Sequence, residues 1–450
     1  MNLDTIHNVY FIGIGGIGMS AIARYFKAAN INVSGYDKTE TDITSALKDL
    51  GIEIYFEDDM QQVSSVFLDK KNTLVVYTPA VPKSHSQLQY FKNQGFEVLK
   101  RSEVLGLITK NTFCLAVAGT HGKTTTTSIL GHLMYQSGAD VTAFLGGVTE
   151  NYNSNLILGG RQISVVEADE FDRSFLTLNP NLACITSMDA DHLDIYGDEK
   201  SLKESFKDFT KKIKPGGKLF VKNGLPLKGI TYGIEDESDY AAQNVKIENG
   251  GYVFDLKTPK TILKNLCFYL PGRHNLSNAV VALAMAIEQG CNGGELVKAL
   301  ATYKGVKRRF TYHIKTKNLV FIDDYAHHPK EINAVYQAVR EMYPGKKVLA
   351  VFQPHLYSRT RDFIAEFGAS LSQFDEVMLL DIYPARETPI LGVTSTWLMS
   401  HINKANKQLV TKDTLIGKIK SSNADVVLTI GAGDIGQEVK KIKKELSVAI

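Results

Sequence analysis

The stretch Gly119-Thr-His-Gly-Lys-Thr-Thr125 lies between the apolar run Phe113–Ala118 and a helical pattern, and it constrains the fold more than any other part of the chain. Its order is strand, glycine loop and helix start, with a lysine and a hydroxyl at the mouth. Loop N–H groups and the positive end of a helix suit the phosphates of a nucleotide. Lys123 can then reach the terminal phosphates, and the Thr124 hydroxyl can ligate Mg²⁺. The spacing Gly119-x-x-Gly122-Lys123-Thr124 is shorter than that of the usual phosphate loop, so a glycine-rich turn followed by a lysine is the competing reading. The helical pattern decides between them. Ile129, Leu130, Leu133 and Met134 form one apolar stripe, and Gly138 ends it. The expected ligand is ATP with Mg²⁺, held by Gly119, Thr120, His121, Gly122, Lys123, Thr124 and Thr125.

A chain of 450 residues suggests three domains at about 150 residues each. Its 44% hydrophobic content is that of an ordinary globular protein. The net charge of +3 is nearly balanced, so nothing calls for nucleic acid or a membrane surface as partner. Cys114, Cys184, Cys267 and Cys291 are scattered in or near apolar runs without CxxC spacing, and read as reduced core thiols. No apolar run approaches ~18 residues, and the chain opens on a strand pattern rather than a leader. A cytoplasmic location is expected.

Strands alternate with helices throughout, the pattern of layered α/β units with parallel sheets. Val9–Ile14, Ile31–Tyr36, Ile52–Phe56 and Leu74–Thr78 read as strands of a first unit. A second starts near Thr112 and includes Ile163–Glu167 and Leu182–Ser187. Residues 215–270 read as a small antiparallel flank, followed by a helix over 275–289. A third unit starts near Thr311, with strands Leu319–Ile322, Lys347–Phe352, Glu376–Leu380 and Asp425–Ile430.

Ligands of open parallel sheets sit beyond the carboxyl ends of the strands, so the polar residues at those ends are the candidate sites. Gly13-Ile-Gly15-Gly16-Ile-Gly18 follows the first strand and opens a helix, and Asp37 ends the second strand. This is a dinucleotide-type fingerprint for a diphosphate with a ribose hydroxyl on the acid; alone it suggests NAD. Glu167, at a strand end with Asp169 and Glu170 after it, suits hydrated Mg²⁺, or is a solvated acidic loop. Asp189, Asp191, His192 and Asp194 follow the next strand; His192 is either a second metal ligand or a helix cap. Asn275 and Asn278 open a helix as cap or as amides for an adenine edge. Arg308, near the second boundary, suits a γ-phosphate in transfer or belongs to a basic linker. Asp323, Asp324, Tyr325, His327 and His328 crowd one strand end before Pro329, which is set for a helix N1 position. His355 and Arg359 follow the next strand and suit a small carboxylate, unless Arg359 pairs with a helix acid.

Taken together, Gly13–Ser20, Gly119–Thr126, Glu167–Glu170, Asp189–Asp194, Arg273–Asn275, Asp323–Pro329 and Phe352–His355 resemble the Mur ligase family over essentially the whole chain. The resemblance implies a Rossmann-like N-terminal domain over 1–105, a central P-loop ATPase-type domain over 106–310 and a Rossmann-like C-terminal domain over 311–450. It assigns the first domain to the UDP of a sugar substrate rather than NAD, with Gly15, Gly16, Gly18 and Asp37. It assigns the metal site to Thr124, Glu167 and His192, and the adenine region to Asn275 and Asn278. Arg308 becomes a phosphate contact, and Asp324 lies by the ATP. Tyr325, His327, His355 and Arg359 face the incoming amino acid. Leu356 stands where many relatives carry arginine.

The branch implied joins L-alanine to the lactyl carboxylate of UDP-N-acetylmuramate in peptidoglycan precursor synthesis. The carboxylate takes the γ-phosphoryl group of ATP, and the amine attacks the acyl phosphate. Lys123 and Arg308 spread the charge, His327 is the base, and the C-terminal domain closes about a hinge near 305–312. The expected assembly is a monomer or weak homodimer. Two other readings are a recycling ligase that adds a peptide to the same sugar and a nicotinamide-dependent oxidoreductase.

Overall fold

The computed structural model describes residues 3–189, 196, 198–248, 250–385, 387–404 and 406–447. It forms two compact units: Met1–Val245 with Val253–Cys267 and Ser277–Lys304, and Lys246–Tyr252 with Phe268–Leu276 and Gly305–Ile450.

The first unit contains two sheets. In the first, β1 (Asn8–Ile12), β2 (Asn32–Tyr36), β3 (Glu53–Tyr55), β4 (Thr73–Tyr77) and β5 (Glu97–Lys100) lie in the order β3-β2-β1-β4-β5. All neighbours run parallel. β1 is buried along its whole length, which is why its sequence is a continuous apolar run rather than an alternation. The sequence reading missed β5, a half-buried edge strand with charged ends.

The second sheet holds β6 (Phe113–Ala118), β7 (Val141–Thr149), β8 (Ser154–Leu158), β9 (Ile163–Glu167), β10 (Leu182–Ile185), β11 (Lys218–Lys222), β12 (Ile230–Ile234), β13 (Tyr240–Glu248), β14 (Gly251–Lys257) and β15 (Ile262–Phe268). Their order is β15-β14-β13-β12-β11-β10-β6-β9-β7-β8. β6 runs parallel between β9 and β10, with Leu115 opposite Val165 on one side and Leu182 on the other. This register brings the ends of three strands around the glycine loop. The antiparallel flank expected over 215–270 is corrected for its first three strands: β11, β12 and β13 join the sheet in parallel. Their short connections turn through positive φ at Gly224 and Glu235, so compact turns stand where hairpins were expected.

One hydrophobic core joins the two sheets. Phe11, Ile22 and Leu47 belong to the same buried cluster as Phe144, Leu156 and Phe175. The Tyr25 and Phe144 rings meet at 5.4 Å. Buried Asn155 of β8 donates to Ile17 O at 2.5 Å and Ser20 Oγ at 2.8 Å, which fixes the helix Ile17–Ala28 that leaves the first glycine loop.

The second unit carries β16 (Thr311–Lys315), β17 (Val320–Asp324), β18 (Val348–Phe352), β19 (Glu376–Leu379), β20 (Lys407–Leu409) and β21 (Val426–Ile430), in the order β16-β17-β21-β18-β19-β20. Only the pairing of β16 with β17 is antiparallel. The helix Pro329–Met342 buries Ile332, Val335 and Val339, with Pro329 at its N1 position and His328 as cap. All four cysteines are free; Cys114 and Cys184 are buried, Cys267 and Cys291 partly so. Among the described residues no helix is long and apolar enough to cross a membrane.

Candidate active site

The loop after β6 is shaped by two glycines. Gly119 has φ +136° and Gly122 φ +84°, conformations that L side chains rarely adopt. A Cβ at Gly122 would also come within 2.7 Å of Asn278 Oδ1, which sets Asn278 against the loop. The chain beyond β10 pins the other side: His121 N donates to Ser187 Oγ at 2.8 Å and Asp189 N to Thr120 Oγ1 at 3.1 Å.

Lys123 opens the helix Lys123–Gln136. Its Nζ donates to Gly119 O at 2.8 Å and lies 2.7 Å from Glu170 Oε2. The Glu170 side chain is fully buried and that of Lys123 is 12% exposed. Burial works against the ammonium, but Glu170, Asp169 and Glu167 outweigh it and hold its pKa up at about 12. The lysine is therefore charged throughout the working pH range. Tyr196 donates to Glu170 O at 2.6 Å and steadies the acid's backbone.

Thr124 Oγ1 donates to Glu167, 2.9 Å from Oε2 and 3.1 Å from Oε1. β7 passes beneath this carboxylate at Gly146, where any Cβ would overlap Glu167. A hydroxyl and one carboxylate beside a phosphate loop match what Mg²⁺ takes from a protein when nucleotide phosphates supply the rest. No group of three or more His, Cys, Asp or Glu suited to a metal occurs among the described residues. Asp191, His192 and Asp194 lie outside them.

At the first glycine loop Gly13 has φ +89°. Asp37 Oδ2 accepts from Gly15 N at 2.7 Å and Oδ1 from Thr39 N at 3.2 Å. The acid expected at a ribose thus also braces the loop's own backbone. Asn275, in the second unit, donates to Pro271 O at 2.6 Å and closes the turn before the helix Arg273–Gln289.

The rest of the second unit gathers the other predicted residues. Arg308 Nε donates to Asp323 Oδ2 at 2.9 Å and Nη2 to Gly431 O at 2.6 Å, with the guanidinium 5.1 Å from the Tyr325 ring centre. Asp324 is buried and accepts from Phe310 N and Ala326 N, each at 2.7 Å. Burial pushes its carboxyl up to about 6. His327 Nδ1 faces Tyr325 O at 3.0 Å, which leaves Nε2 to exchange a proton when Nδ1 carries the hydrogen. Burial draws the imidazole below its usual range, against the pull of Glu331. The His327 ring lies 5.6 Å from Tyr325 and 6.0 Å from His355, and Arg359 Nη1 lies 3.4 Å from His355 Nδ1. Tyr325, His327, His355 and Arg359 thus form one cluster. Leu356 beside it has φ +72° and ψ 135°.

Sequence reasoning left Gly146 unnoticed and did not single out Glu170 as the lysine's partner. Gly146 follows an apolar run, as strand glycines near a ligand often do.

These features define a phosphate-loop nucleotide-binding protein of the parallel α/β class. Three family models match in chain order: the Mur ligase family catalytic domain over 8–112, the Mur ligase middle domain over 117–286 and the Mur ligase glutamate ligase domain over 308–433. The UDP-N-acetylmuramate–L-alanine ligase of Flavobacterium psychrophilum is 64% identical over 446 residues, covering 99% of both chains. The crystal structure of UDP-N-acetylmuramate-alanine ligase from Thermotoga maritima superposes with a TM-score of 0.82 at 26% identity, over 98% of this chain and 100% of that one. A murein peptide ligase from Psychrobacter arcticus shares the fold, with a TM-score of 0.71 at 20% identity over 98% of each chain. The chain belongs to the Mur ligase family and has its three domains.

Proposed function

We propose that this chain catalyses the ATP-dependent joining of L-alanine to the lactyl carboxylate of UDP-N-acetylmuramate, a step of peptidoglycan precursor synthesis. The observation that carries the reading is the charged Lys123–Thr124–Glu167 loop in a chain that is 64% identical, end to end, to an alanine-adding ligase.

A carboxylate and an amine do not condense unaided in water, so the acid is first activated. A lactyl carboxylate oxygen attacks the γ-phosphorus of ATP in line. The new O–P bond forms as the bond from phosphorus to the β,γ-bridging oxygen breaks, and ADP leaves. Lys123 shifts from Glu170 toward the γ-phosphate and offsets the charge that develops there. Mg²⁺, held by Thr124 and Glu167 with His192 as a further proposed ligand, supplies charge neutralisation on the phosphates when bound. Asn275 and Asn278 receive the adenine, and Asp324 lies near the nucleotide. Arg308 is oriented for the transferred phosphoryl group by Asp323 and Gly431 O.

Alanine binds at Tyr325, His327, His355 and Arg359, with its carboxylate on the arginine. His327, kept neutral by burial, takes a proton from the alanine ammonium at Nε2. The freed amine attacks the acyl carbon, and the tetrahedral intermediate breaks its C–O bond to release phosphate. The sugar nucleotide sits on Gly15, Gly16, Gly18 and Asp37. The domains run over 1–105, 106–310 and 311–450, and the last turns about 305–312. Gly305, Arg308 and Phe310 all have positive φ in that stretch. The enzyme works in the cytoplasm as a monomer or weak homodimer.

The test is phosphate release with ATP, Mg²⁺ and UDP-N-acetylmuramate, with and without L-alanine. Release that needs both the sugar nucleotide and alanine supports the reading. Release supported by a tripeptide instead of alanine transfers the assignment to a recycling ligase, and no release with any acceptor refutes it.

A further inference from the structure

Arg101 stands beside the first glycine loop with nothing to bind. It opens the helix Arg101–Lys110 after β5 and is half-buried. Its guanidinium lies against Gly18: a Cβ built there would come within 2.9 Å of both Arg101 Cδ and Nη1. Among the described residues Arg101 makes no hydrogen bond and no ion pair. A guanidinium carries five N–H donors, and leaving it partly desolvated and unpaired is unfavourable without a ligand.

The surroundings indicate which ligand. On the far side of the loop, Gly15 N–H is already taken by the Asp37 carboxylate. That acid removes one donor from an incoming diphosphate and adds a repelling charge. Arg101 supplies the compensating cation, next to the one loop glycine whose hydrogen takes the place of a side chain against it. The same arginine lines a narrow recess with Ser102, Glu167, Asp169 and Ser174. The recess measures about 10 Å³, room for roughly one water. Arg101 thus stands on the wall between the glycine loop and the carboxylate beside Thr124.

We infer that Arg101 is a binding residue for the diphosphate of the sugar nucleotide, donating to its oxygens in the bidentate manner of arginine. The inference rests on the reading of the first domain as the UDP-sugar site.

The test measures UDP, uridine and ATP binding by calorimetry in the full chain and in Arg101→Gln and Arg101→Lys. Wild-type protein should bind UDP. In Arg101→Gln, UDP affinity should fall roughly 10- to 100-fold, as loss of hydrogen bonds to a charged group implies. Uridine and ATP affinities should stay unchanged, and Arg101→Lys should recover part of the loss. In turnover, the KM for UDP-N-acetylmuramate should rise in the same order while that for ATP does not. Unaltered UDP affinity in Arg101→Gln overturns the inference alone. Equal loss of UDP, uridine and ATP also overturns it, since the arginine would then only support the fold. Wild-type protein that binds no UDP refutes the sugar-nucleotide reading itself, and the inference with it.

Discussion

The ammonium of Lys123 is matched to a fully buried Glu170 that follows β9. Removing one member of a buried pair strands the other charge, at a cost of about 3–5 kcal/mol. Lys123→Met should therefore abolish phosphate release and also lower the melting temperature. Adding Glu170→Gln should restore most of the stability and none of the activity; a double mutant as unstable as the single would show that the pair does not carry the loss. His327 makes a second prediction. Burial lowers its pKa, so it stays a free base below the ordinary imidazole value of about 6.5. The profile of kcat/KM for alanine should fall on its acid side below that value, and His327→Gln should flatten that limb along with most of the rate. Lys123, Thr124 and Glu167 were legible in the sequence because spacing after a strand fixes their place. Glu170's grip on Lys123 was not, because a helix and three strands separate the partners in the chain and only the β6–β9 register brings them together.

Among the elements, β7 and the turn at Leu356 carry their own tests. Gly146→Ala in β7 would drive a methyl group into the Glu167 carboxylate. It should reduce turnover more than tenfold at subsaturating Mg²⁺ and less when Mg²⁺ is raised, with ATP-free stability changed by about 1–3 kcal/mol. Leu356 holds a backbone conformation that glycine adopts freely, and such strain costs on the order of 1–3 kcal/mol. Leu356→Gly should raise the melting temperature while loosening His355, seen as a higher KM for alanine. Strands with unbroken apolar runs, such as β1, β6, β9, β18 and β21, were legible within a residue or two. β5, β7, β8 and β20 were not. β5 and β20 are short edge pieces, and β7 ends in a Gly-Gly irregular stretch paired to β8 across a register shift. Parallel addition of β11–β13 through short turns also defeats local reading, because nothing in each strand names its neighbour.

At the scale of the whole molecule, four histidines among the described residues (His85, His132, His313 and His327) have pKa values lowered chiefly by burial. The unfolded chain takes up their protons at about pH 6.5, before the folded one does. Stability contributed by keeping them neutral is complete well above that pH and declines as pH falls through it. Asp324, raised to about 6, works the other way: protonating it favours the folded state, an effect that grows as pH drops from about 6 toward the ordinary carboxylate range. The melting temperature should therefore decline between pH 7.5 and 6, then flatten as Asp324 begins to compensate. A melting temperature constant across that range would count against the burial of these imidazoles.

The shared core of the first two sheets has a consequence for how the chain is made. The helix Ile17–Ala28 covers its apolar side with Phe144 and Leu156 and is tied down by Asn155. A ribosome delivers residues 1–110 well before those partners leave the exit tunnel. The nascent first sheet must wait, with a greasy helix face uncovered, until β8 emerges. That interval is where a chaperone would find its handhold, and where a pause in translation or a cut between the first two domains would do the most harm.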